Sequence, residues 1–88
     1  MTDRQTIEML AVKVMGMTPA AAAQLVVWNP LTEANATLEC LGRFERWELT
    51  EPGACQVWRD GKCFFEFAET PLRAACCAMV ASVEGRDE

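Results

Sequence analysis

Apolar residues recur at helical spacing near the start of the chain, where Ile7, Leu10, Ala11 and Val14 fall on one side of a helix. Thr2 followed three residues later by Gln5 is a capping-box pattern, and Gly16 supplies the stop. The spacing predicts a first helix between them. Residues 18–28 read two ways: Thr18-Pro19 can open a short helical turn through the alanines, whereas Leu25, Val26, Val27 and Trp28 favour a short strand. Asn29-Pro30 then imposes a turn, with Leu31 placed as a hydrophobic staple and Thr32 as a cap. The helix that follows is expected to face inward with Ala34, Leu38, Leu41 and the aliphatic stem of Glu45, and to end within residues 42–46.

Beyond that point the period changes from 3.6 to 2. RWEL, CQVWRD and KCFFEFAE alternate as strands do, with Glu51-Pro52-Gly53 as one turn and Asp60-Gly61 as a tight hairpin signal. Thr70-Pro71 starts a last helix whose apolar stripe is Leu72, Ala75, Cys76, Met79, Val80 and Val83, running to Gly85. The expected fold is α+β, a single domain over residues 1–88. Its small antiparallel sheet of three to four strands is flanked by three helices, in the order α-(β)-α-β-β-β-α, and is sandwich-like.

Charge and chemistry narrow the function classes. Thirteen carboxylates against eight Lys and Arg give −5, the wrong sign for tracking a phosphate backbone, so direct nucleic-acid binding is disfavoured. Charges at Asp3, Arg4 and Glu8 interrupt any signal-peptide core, and no apolar run approaches the length of a membrane span; a cytoplasmic chain is expected. The five cysteines, Cys40, Cys55, Cys63, Cys76 and Cys77, suit buried thiols better than disulfides. Without His or a CxxC pair, no metal and no cofactor are expected. The missing His and Tyr, with Ser82 as sole serine, leave no Ser-His or Cys-His nucleophile, and the isolated glycines form no phosphate loop. The carboxylates Glu48, Glu51, Glu66 and Glu69 retain an acid-base reading, outweighed by ordinary ion pairing with Arg46, Arg59 and Lys62.

The runs LAVKVMG, WNPLTEANATLECLGRF and TPLRAACCAMVASV, with the meander between the last two, resemble the small proteins of tailed phages and prophages grouped as the phage ABA sandwich domain. The resemblance spans nearly the whole chain and departs from the pattern in the alanine-rich segment 19–24. It implies helices on both faces of the sheet and a phage or prophage origin, and it carries no catalytic group.

In KCFFEFAE the alternation sends Cys63, Phe65 and Phe67 to one face and Phe64, Glu66 and Ala68 to the other. With both faces covered, every aromatic is core. With one face open, Trp58 and Phe64 with Glu66 become a binding patch, and Glu48 and Glu51 add steering charge. Ala74, Cys77, Ala78 and Ala81 form a smooth helix face, for packing within the chain or for a homodimer seam. The function expected is that of a non-enzymatic protein that binds a host or phage protein; short acidic phage chains include inhibitors of host defence such as anti-CRISPR proteins. Nucleic-acid mimicry ranks below ordinary surface recognition, because Arg43, Arg46 and Arg59 interrupt the carboxylates. The alternative is a small accessory enzyme or ligand-binding domain working through Glu and Cys.

Overall fold

The computed structural model describes residues 2–84. Its first helix, α1 (Asp3–Met9), opens on the reciprocal capping box: the Gln5 N–H donates to the Thr2 hydroxyl at 3.1 Å, and the Thr2 N–H to the Gln5 side chain at 2.8 Å. The helix widens into a π-helical turn over Leu10–Val14 and stops at Gly16, whose φ of 78° suits a residue without a Cβ. A second helix, α2 (Pro19–Ala23), is capped by the Thr18 hydroxyl.

Residues 25–28 do not form the short strand expected from their β-branched composition. Val26 and Val27 stand 92% and 80% exposed, and the Leu25 carbonyl is taken by Arg4 rather than by a neighbouring strand. The order among the described residues is therefore α-α-α-β-β-β-α, with four helices and three strands.

Asn29 sets up the next helix through an Asx turn, its side-chain oxygen accepting the Leu31 N–H at 3.0 Å. Helix α3 (Ala34–Leu41) starts one residue later than Thr32 would place it, with Glu33 as its cap residue. Its buried face is Ala36, Thr37, Cys40 and Leu41, so the expected inward positions Ala34, Leu38 and Glu45 are exposed and only Leu41 is as anticipated. The reason lies with Thr37, whose hydroxyl reaches the carbonyls of Pro30 and Glu33; the Cys76 thiol also donates to Pro30 at 3.3 Å. A buried turn carbonyl thus finds donors that Leu38 could not supply.

Strands β1 (Arg46–Thr50), β2 (Ala54–Arg59) and β3 (Lys62–Phe67) form an antiparallel meander in spatial order β1-β2-β3. Asp60 (φ 53°) and Gly61 (φ 77°) give the hairpin between β2 and β3 its positive-φ pair, as an Asp-Gly turn of type I′ requires. The last helix, α4 (Pro71–Glu84), begins where the Thr70 hydroxyl accepts the Arg73 N–H at 3.2 Å; its expected stop, Gly85, lies outside the described residues.

Helix α4 packs on β2 and β3 and scarcely on β1, while α3 and the α1 π-turn cover its opposite side. It is consequently buried almost all round, including Ala74, Ala78 and Ala81. Of the small-residue face, Ala74, Ala78 and Ala81 are packed within the chain and Cys77 is half-buried. The core joins Leu10, Leu31, Leu41, Val57, Phe64 and Met79 across the three layers. Arg73 ties α4 to the start of α1 by a fork onto both Asp3 carboxylate oxygens, at 3.1 and 2.9 Å. That hydrogen bonding holds the Asp3 carboxyl below its ordinary pKa.

Candidate interaction surface

The pairing register fixes which residues share the sheet face turned away from α4. Trp58 lies between Arg46 and Cys63, Gln56 between Glu48 and Phe65, and Ala54 between Thr50 and Phe67. The other face carries Trp47, Leu49, Cys55, Val57, Phe64 and Glu66 toward α4. No described helix packs on the first face, so the sheet is covered on one side where the resemblance implied two.

Phe67 is 73% exposed and Phe65 46%, and the two rings meet edge to face with centroids 4.7 Å apart. With Thr50, Pro52, Ala54 and Ala68 they line an open, mainly apolar hollow of about 410 Å3 at one end of the face. At the other end the Arg46 guanidinium lies over the Trp58 ring, 4.6 Å from its centroid, and bonds Glu48 at 2.8 Å. The Gln56 amide reaches the Cys63 sulfur at 3.6 Å across the middle. An aromatic floor with a charged corner results, a composition suited to holding an apolar side chain of another chain.

The five residues picked from the sequence separate on this geometry. Glu48 and Trp58 belong to the open face, and Glu51 stands exposed in the turn at its apolar end. Phe64 is 8% exposed within the core and Glu66 points to the covered side, so neither joins Trp58 on a common patch. Phe65 and Phe67 take their place. The strand alternation did separate Phe65 from Phe64; which face helices would cover was the missing fact.

A second concavity, an open groove of about 950 Å3 on the covered side of the sheet, meets β3 at Glu66 near the strand's end. Its lining includes Glu66 and Glu69, Asp3 and Thr6 of α1, and the α4 stripe Arg73, Cys77, Val80 and Glu84. Among the described residues Arg73 is the single cation of that lining, and Asp3 already occupies it. A smaller cavity of about 80 Å3 elsewhere is lined by Lys13, Val14, Arg43, Phe44 and Arg59.

Three of the five thiols, those of Cys40, Cys55 and Cys76, are buried. Burial pushes Cys40 up to about 12 and Cys55 to about 11, and raises Cys76 further; Cys63 alone of the five is exposed. Among the described residues no group of three or more Cys, Asp or Glu is arranged to hold a metal ion, and no helix is long and apolar enough to cross a membrane.

Compared with family models, with curated proteins and with solved structures, the chain matches none.

Proposed function

We propose that this chain is a non-enzymatic, phage- or prophage-encoded protein that binds a host or phage protein in the host cytoplasm, using the uncovered face of its sheet. The exposure of Phe65 and Phe67, packed edge to face on the same sheet face as Trp58, carries this reading. Contiguous exposed aromatics in so small a domain are otherwise an aggregation liability, and aromatic residues dominate interface hot spots. Burial of Cys40, Cys55 and Cys76 as protonated thiols supports a binding role over a catalytic one. Inhibition of a host defence component, in the manner of an anti-CRISPR, is the role that suits an acidic chain from such a source.

The test uses the chain as bait in bacterial host lysate beside its Phe67→Ser variant. The wild type should retain a protein at about one copy per chain, and the variant should bind it at least tenfold more weakly, since truncating an anchor costs on the order of 2 kcal/mol. Reversing Glu48 and Glu51 should slow association without unfolding the chain. Equal capture by wild type and Phe67→Ser, or an effect on the target at a small fraction of stoichiometry, would overturn the proposal.

A further inference from the structure

The free edge of β3 has the geometry of an incomplete sheet. The Ala68 N–H donates to the Gly53 carbonyl at 2.8 Å, which sets the phase of the β2–β3 ladder. In an antiparallel pair the hydrogen-bonded positions alternate, so Glu66 and Phe64 exchange bonds with Cys55 and Val57. The backbone N–H and C=O groups of Cys63, Phe65 and Phe67 therefore point away from β2, and among the described residues no strand meets them. Natural edges are commonly blunted by proline, bulges or inward charge. The run Lys62–Phe67 holds no proline and continues in unbroken register with β2, and its inward charge, Glu66, lines the groove beside the edge.

The helical layer extends past that edge. Arg73, Cys77, Val80 and Glu84 recur at helical spacing along the groove wall, a stripe about 17 Å long at 1.5 Å per residue. About five residues of extended chain match that length. A strand laid there would roof the groove, as β2 and β3 already roof the rest of α4. Helix α4 scarcely reaches β1, so the opposite edge offers no equivalent support.

We infer that the outer edge of β3 is a docking site for an extended segment of a partner protein, in which apolar residues alternate with lysine or arginine and which pairs as a fourth strand. Side chains opposite Cys63, Phe65 and Phe67 fall on the open face, where β-branched or aromatic groups extend the exposed rings. The one opposite Glu66 hangs over the groove, where Glu66 and Glu69 stand beside the Asp3–Arg73 pair. Cationic side chains complement that charge. Main-chain pairing gives the affinity and the alternating pockets the selectivity, as in other strand-addition complexes. The inference rests on the protein-binding reading above and names the form of the partner.

Panning a displayed library of random eight-residue peptides on the full chain tests it. Enriched peptides should alternate apolar and basic residues, and a synthetic copy should slow amide exchange at Cys63, Phe65 and Phe67 at least tenfold. N-methylating the peptide amides that face β3 should weaken binding at least tenfold, and methylating the alternate set should not. The Glu66→Lys variant should bind the same peptide at least threefold more weakly. Peptides that bind but leave those three exchange rates unchanged would overturn the edge assignment, and so would a library that yields no binder. Protection of the same amides in a dimer without peptide would make a second copy the occupant and equally overturn it. In each of these cases a lysate partner lost on Phe67→Ser would leave the binding role of the open face standing.

Discussion

Gly53 sits where β2 leaves its turn, and a Cβ built there would lie 2.1 Å from the Ala68 carbonyl oxygen. The same two residues carry the hydrogen bond that sets the β2–β3 phase, so neither backbone can retreat without breaking it. Gly53→Ala is expected to destabilise the fold by about 2–3 kcal/mol, the range of overpacking against a fixed neighbour. Chemical denaturation should show it as a lower midpoint with an unchanged slope. The sequence marks Gly53 as a turn residue by its Pro-Gly dipeptide, and the structure adds that it is a close-approach glycine. That second role depends on residue 68, too far along the chain for local pattern to reveal. Thr37 teaches the same lesson, since its inward aim follows from a carbonyl seven residues earlier.

At the scale of elements, the cap and turn chemistry of α1, α4 and the Asp60-Gly61 hairpin was legible because each signal is local to a few residues. The run at residues 25–28 was not. Its β-branched side chains fit a half-buried pleated surface, and such a preference needs a neighbouring strand to be expressed. What holds that stretch is Arg4, whose guanidinium bonds Glu8 at 2.7 Å and donates to the carbonyls of Ala22, Ala23 and Leu25 at 3.2, 2.7 and 2.7 Å. It fastens the C-terminal end of the five-residue α2 to α1, where a cation also meets the favourable end of the helix dipole. Because this side chain is partly exposed, Arg4→Met should cost only about 1 kcal/mol. The effect should be local: amide exchange at Gln24 and Leu25 should quicken at least tenfold while the amides of β2 remain as they were. Uniform quickening across the molecule would mean that α2 is integral to the cooperative unit.

For the molecule as a whole, the decisive feature is the side of the sheet that helices leave bare. Alternation along β3 was readable, and so was the division of its aromatics between two faces. The number of covering layers was not, because a strand pattern with aromatics on both sides is equally consistent with burial on both sides. Helix α4 resolves it: surrounded by β2 and β3 on one flank and by α3 and the α1 π-turn on the other, it puts all the helices on the same side. The candidate site follows directly, since the same covering that buries Phe64 leaves Phe67 outside. Two lysine substitutions three residues apart measure this difference. Phe64→Lys places an unpaired ammonium among Val57, Cys76 and Met79 of the core and should cost several kcal/mol, comparable with the total stability of a domain this small. Phe67→Lys removes only an exposed ring and its edge contact with Phe65, and should change stability by less than about 1 kcal/mol. Thermal melts of the two variants beside the wild type decide the matter. A Phe67→Lys chain that melts like the parent confirms an open face, whereas one that unfolds along with Phe64→Lys would show that a further layer, from this chain or another, normally covers it.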